Sequence, residues 1–258
     1  MAIHPTAIID PSSEIDSSAS VGPYTLIGPR VRVGPDTEIM GHVFIDKDTD
    51  IGRGCRIFPF ASLGADPQDM KYAGERSQLV VGDEVIVRES TTIHRGTKGG
   101  GGVTSIGKKA LIMASVHVAH DCRLGDRVIL SSFAVLAGHV SVQDQAIISG
   151  SSAVHQFVRL GVHSFLGGMT GATKDVPPYM IVAGVRDKDM VVTPNVVGLR
   201  RSGFSKEAVS AITGAFKMLH NHKPLAGVLE EVEAAYPDSE EVKVLTSFYR
   251  TSERGVYR

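Results

Sequence analysis

Six of the ten histidines fall between His94 and His163: His94, His117, His120, His139, His155 and His163. Imidazole changes its charge near neutral pH, so a cluster of it invites a chemical reading. His120 is followed by Asp121, a carboxylate able to orient the ring. One chemistry is general-base catalysis, with one histidine activated by Asp121 or a backbone carbonyl and the others holding a substrate. A second is metal binding: His117-x-x-His120 plus His139 offers three imidazoles, the donor set of a zinc carbonic anhydrase-like enzyme. The third is a set of exposed polar residues with no chemistry at all. Spacing alone does not separate the first two.

The element that must position these residues is a six-residue repeat. From Ile3 an aliphatic recurs at Ile9, Ile15, Val21 and onward to Leu63, again at Val81, Val87 and Ile93, and from Ile106 through Leu166. Four residues after each stands a small one, such as Ala19, Thr25, Cys55, Thr97, Cys122 and Ser152; Pro67 alone breaks the rule. Neither a helical nor a two-residue period explains this. A triangular coil does, with three hexads per 18-residue turn, short strands as sides and an interior shared by the aliphatic and small positions. Both cysteines fall on the small position, which assigns them to the core. With coils stacked about 4.8 Å apart, His120, Gly138 and Gln156 occupy one position on three successive turns. His139 follows Gly138 and His155 precedes Gln156, so these residues form one polar strip, with His117 at a neighbouring corner.

Two insertions interrupt the coils, about Asp66 to Leu79 (charged and polar) and Lys98 to Ser105 (glycine-rich). Conspicuous loops on a regular scaffold tend to carry function. The first is read that way, and the second is equally an ordinary tolerated insertion. The repeat ends at Pro177-Pro178, giving a β-helix over residues 1–178 and a helical unit over 179–258. Helices are expected near Ser205 to His220, with Ser205 as N-cap, over Leu225 to Tyr236, and over Glu240 to Tyr249 behind a capping box of Asp238 with Glu241. With 27 basic and 28 acidic residues the chain does not advertise a nucleic-acid partner. No apolar run approaches the roughly 20 residues of a membrane span and the N-terminus lacks a signal-peptide pattern, so a cytoplasmic protein without an integral membrane segment is expected.

The segments HVAHDCRLGD, LAGHVSV, AVHQF, DVPPY and RRSGFS, with QDMKYAGE and ESTTIHRGT upstream, resemble the UDP-N-acetylglucosamine acyltransferases that open lipid A biosynthesis. The similarity covers the whole chain, insertions and helical tail included. It implies a left-handed parallel β-helix of hexapeptide repeats with a C-terminal α-helical domain, assembled as a homotrimer with sites between neighbouring β-helices. The activity implied is transfer of a 3-hydroxyacyl chain from acyl carrier protein to the 3-hydroxyl of a UDP-sugar. The donor rides on the carrier's phosphopantetheine, so neither a cofactor nor a metal is expected. His120 matches the general base, Asp121 its orienting neighbour, and the Gly138 N–H the oxyanion donor. Asp69 and Lys71 match residues holding the sugar nucleotide, while His117, His139, His155 and Gln156 match others lining the cleft. Asn195 and Arg201 match positions for the nucleotide or thioester. Gly168, beside Met169, falls where the family sets acyl length, and glycine there leaves the channel open for a long chain. Three features depart from the common pattern. Val197 replaces a glutamate, Ser202 replaces an arginine, and Gly184 to Val192 lacks the usual Gly-Asn segment. Valine is similar to members that acylate the 3-amino analogue of the sugar, so an N-acyltransferase is the alternative.

Overall fold

The computed structural model describes residues 2–185, 190–220 and 225–258. The hexads wind into a left-handed parallel β-helix whose strands, mostly two residues long, stack on three faces. The first face starts at Ala2–Ile3, the second at Ile8–Ile9 and the third at Glu14–Ile15. Away from the insertions, residues 18 apart pair in register, as in the series His117, Val135, Ala153 and Gly171. Outward-facing residues therefore form straight files along the prism.

The interior is as the period demands. Ile112, Leu130, Leu136 and Ile148 are fully buried, and the small positions Ala134, Val140 and Ala146 pack beside them. Cys55 and Cys122 are free and buried there, and burial pushes the Cys122 thiol up to about 12, which leaves it unreactive. From Tyr24 onward, the residue three after an interior aliphatic turns the corner at positive φ wherever the hexads run uninterrupted. Examples are Asp121 at 61°, His139 at 62° and Phe157 at 65°.

Both insertions leave the coil at the same edge, between the second and third faces, where His120 also lies. The first spans the gap between strands Ser62–Ala65 and Gln78–Val81. It is rooted by Arg95, whose fully buried guanidinium pairs with Asp46 at 2.9 Å and with Asp66, and also donates to the Gly64 carbonyl. The second is shorter than its sequence suggests. Val103–Ile106 already forms a strand paired with Gln78–Val81, leaving a single 3-10 turn over Lys98–Gly100.

Past Pro178 the first face continues with Met180–Ala183 and the antiparallel Val191–Pro194. Of the atypical segment Gly184 to Val192, residues 186–189 lie outside the described residues. Helices α1 (Val196–Arg201), α2 (Lys206–Leu219), α3 (Leu225–Ala235) and α4 (Glu240–Arg250) follow. Ser205 caps α2 as expected. Two expectations need correction. Helix α1 is absent from the sequence reading, since six residues are too few to show a period. The cap of α4 is Ser239, not Asp238, because its hydroxyl accepts from the Val242 N–H at 3.3 Å and donates to Glu241. The helical unit is tied to the coil by Arg159, which bonds Asp175, the Phe248 carbonyl and the Thr251 hydroxyl, while Tyr257 is buried in the coil's own core.

Replacing Arg95 by methionine keeps bulk but strips Asp46 and Asp66 of their shared cation. The carboxylates left behind are partly exposed, so the loss is that of hydrogen bonds to a charged group, about 2 kcal/mol, which urea denaturation of the variant beside the parent would show. An unchanged unfolding midpoint would mean that Arg95 does not anchor the loop.

Candidate active site

The edge between the second and third faces collects most of the predicted strip. His120 Nδ1 lies 2.8 Å from Asp121 Oδ2, and the two side chains are 12% and 1% exposed. The Asp121 carboxylate also accepts from the Thr97 hydroxyl at 2.7 Å and the Thr97 N–H at 2.8 Å, while its own N–H donates to Thr104 Oγ1. An acceptor facing Nδ1 places the proton on that nitrogen and leaves the lone pair of Nε2 available. One coil on, Gly138 lies under the ring: a Cβ there would stand 2.7 Å from His120 Cε1 and 2.9 Å from Nε2. Only glycine lets the imidazole sit so close. The Gly138 N–H has no acceptor among the described residues, so a donor without a protein partner lies one coil from the His120 ring.

Aromatic rings build the wall on either side. His139 stands edge-on to His120 with ring centres 5.2 Å apart, and stacks flat on Phe157 at 4.5 Å. His117 is held by the Thr92 hydroxyl at 2.8 Å and meets His94 edge-on at 5.0 Å. Burial lowers the pKa of both, and His94, which also has the imidazoles of His117 and His120 close by, is pushed down to about 4. His155 and Gln156 are exposed on the next coil of the same edge. Asp69 and Lys71 reach it through the first insertion, where Asp69 Oδ1 accepts from the Lys71 N–H at 2.9 Å. With Tyr72, Glu75, Thr97 and Lys98 they line a cavity of about 650 Å³.

The three-imidazole metal set does not assemble as the spacing suggested. The group that converges is His120, Asp121 and His139, whose ligand atoms lie within 4.8 Å of one another. His117 is turned to Thr92 instead. The Asp121 oxygens already take three hydrogen bonds from protein donors, which suits an oriented base better than a cation.

Other predicted residues lie elsewhere on this chain. Gly168 and Met169 are at the edge between the first and second faces, across the second face from His120, and Met169 is 73% exposed. Asn195 and Arg201 bracket α1 near the third edge. There Asn195 Oδ1 caps the helix through the Gly198 N–H at 3.1 Å, and its Nδ2 donates to the His163 carbonyl. Val197 is exposed on α1, and Ser202 ends that helix. Sequence reasoning missed Thr97, Thr92 and Phe157 as parts of the site. Thr97 fits the small-residue rule of the repeat, and only its hydroxyl hints at more.

Comparisons with known proteins identify the family. Residues 104–138 match the bacterial transferase hexapeptide family, and residues 175–257 match UDP N-acetylglucosamine O-acyltransferase, domain 2. The solved structure of the Francisella novicida UDP-N-acetylglucosamine acyltransferase is 38% identical with a TM-score of 0.95, covering 99% of this chain and 94% of that one. The Moraxella catarrhalis UDP-N-acetylglucosamine O-acyltransferase is also 38% identical at TM-score 0.95, with both chains fully covered. The Arabidopsis enzyme is 32% identical with a TM-score of 0.87, covering 99% of this chain and all of that one. Similarity that runs through the coil, both insertions and the helical tail at this level places the chain in the UDP-N-acetylglucosamine O-acyltransferase family.

Proposed function

We propose that this acyltransferase moves a 3-hydroxyacyl chain from acyl carrier protein to the 3-hydroxyl of UDP-N-acetylglucosamine, with His120 as general base. The observation that carries the reading is the placing of His120: Nδ1 bound to buried Asp121, and the ring lying against Gly138. Nε2 takes the hydroxyl proton as the sugar oxygen attacks the thioester carbonyl carbon. The developing oxyanion accepts from the Gly138 N–H, and collapse expels the carrier's thiolate, which recovers the proton from His120. No covalent intermediate is needed, and both cysteines are sealed in the core. The residues above supply every proton transfer, so neither metal nor cofactor enters the scheme. A hydroxyl acceptor, a weaker nucleophile than a neutral amine, gains most from the His120–Asp121 pair, and the family matched by the tail is an O-acyltransferase.

In this reading Asp69 and Lys71 bind the sugar nucleotide and His117, His139, His155 and Gln156 line the cleft. Asn195 and Arg201 serve nucleotide or thioester, and Gly168 with Met169 limits a long acyl chain. These residues are spread over three edges of one prism. A homotrimer that sets the Gly168 edge of one subunit against the His120 edge of the next resolves this. Exposed Phe133, Val135, Phe157 and Met169 along the second face and its edges are suited to such contacts. No described helix is long and apolar enough to cross a membrane, in keeping with work in the cytoplasm.

His120→Ala is expected to lower acyl transfer by at least ~10²-fold, the usual effect of losing a general base. Retained transfer in an assay with acyl carrier protein and UDP-sugar would remove the assignment. Offered the 3-hydroxy and 3-amino sugar nucleotides in parallel, the enzyme is expected to turn over the hydroxyl form faster; preference for the amine would shift the reading to N-acylation. His94 gives a pH signature. Its folded pKa of about 4 lies below the ordinary 6.5, so the unfolded chain binds a proton that the folded chain resists. Its contribution to stability is complete above pH 6.5 and is lost as the pH falls toward 4. Denaturation across that window should show a shallower slope in His94→Gln; an identical slope would assign the pH dependence to other groups.

A further inference from the structure

We infer that the glycine-rich insertion is a clamp that positions the catalytic base, with Thr97 as its positioning residue and Gly100 as the residue that lets it close. The inference rests on His120 acting as the general base.

Thr97 stands on the small interior position of its hexad, where Thr25, Thr37 and Thr91 donate their hydroxyls to backbone carbonyls. It is nearly fully buried, yet its hydroxyl does not merely fill space. It donates to Asp121 Oδ2 at 2.7 Å and accepts from the Gly100 N–H at 3.3 Å, while the Thr97 N–H donates to Asp121 Oδ1. The hydroxyl proton therefore has one direction, toward the carboxylate. The same residue opens the 3-10 turn Lys98–Gly100, and its carbonyl accepts from the Gly102 N–H at 2.7 Å to close it. The turn folds directly onto Asp121: a Cβ on Gly100 would overlap the carboxylate carbon and both of its oxygens. Nothing larger than glycine fits while Asp121 holds its place.

Asp121 can keep His120 in the required tautomer only if its own oxygens are fixed. With Oδ1 held by the Thr97 N–H and Oδ2 by the Thr97 hydroxyl, the carboxylate has no rotational freedom left, and its orientation toward Nδ1 is set before substrate arrives. A charge-assisted bond in a water-excluded pocket is among the stronger hydrogen bonds available. The turn that supplies it also excludes water from the carboxylate, whose side chain is 1% exposed. The insertion thus acts on catalysis through His120 without any requirement to touch the substrate.

The test uses the full-length enzyme. Thr97→Val keeps the branched shape and removes the hydroxyl, and Thr97→Ser keeps the hydroxyl. Thr97→Val is expected to lower kcat at least ~10-fold, the scale of a lost bond to a charged group, with a much smaller change in KM for the UDP-sugar. Thr97→Ser should restore most of kcat, and Gly100→Ala should match or exceed the loss in Thr97→Val. In a His120→Ala background neither Thr97→Val nor Gly100→Ala should reduce the residual rate further, because their effect passes through the missing ring. Full kcat in Thr97→Val, beside an inactive His120→Ala, overturns the clamp and leaves the base assignment standing. A serine variant as slow as the valine variant, a raised KM at unchanged kcat, or equal losses with and without His120 overturns it as well, showing a general disturbance of the loop. Activity retained in His120→Ala removes the base itself and the clamp with it. Thermal unfolding of each variant separates these outcomes from loss of fold.

Discussion

Every coil of this protein must turn three corners and return one strand spacing above its start. That constraint governs the rest of the molecule. Corner residues enter the left-handed backbone region, costly for most side chains, yet Tyr24, Phe60, Phe133 and Phe157 all do so. The stacked parallel ladders and the narrow aliphatic core offset this cost turn by turn, since a departure at one corner would break the register above and below. A rigid frame results. It holds corner side chains at fixed heights, which suits a reaction that depends on placing a nitrogen and an N–H about one attacking oxygen.

The second dependence is local and centres on Asp121. Asp121 joins three stretches of chain: its carboxylate holds the ring of its neighbour His120 and Thr97 at the root of the glycine-rich turn, and its backbone N–H donates to Thr104 on the third face. Buried groups of this kind are costly unless every lone pair is met, and here the partners come from the insertion as much as from the repeat. Arg95 does the corresponding work for the first insertion, with two carboxylates, a carbonyl and the Tyr72 hydroxyl around one buried guanidinium. Both loops are thus held to the catalytic edge by buried charge, while the regular coils are held by apolar packing and backbone pairing.

Much of the fold was legible because its signal repeats. Dozens of hexads each state the same interior pattern, so the core, the burial of Cys55 and Cys122, and the alignment of His120, Gly138 and Gln156 follow from counting. The site was legible where it shares that ruler and obscure where it does not. Thr97 satisfies the small-residue rule and so looked like filler; that its hydroxyl is spent on Asp121 depends on a turn whose geometry the repeat does not describe. Arg95 carries no periodic mark, and the place of Phe157 one turn above His139 does not by itself tell a wall of the site from an ordinary corner residue. The α4 cap moved by one residue from Asp238 to Ser239, because either side chain can cap and local packing chose between them.

By itself the sequence determined the coil, its interior and the height of each functional side chain, because a strict period translates residue number into position along one axis. It also placed the helical tail, through apolar spacing and the Ser205 cap. Tertiary structure decided what lies around that axis. It put both insertions on the His120 edge, set Asn195 at another edge, and turned His117 to Thr92 rather than to His120 and His139. These are relations between segments far apart in the chain, set by which face each strand joins and which buried polar group finds a partner, and a one-dimensional period carries no information about them.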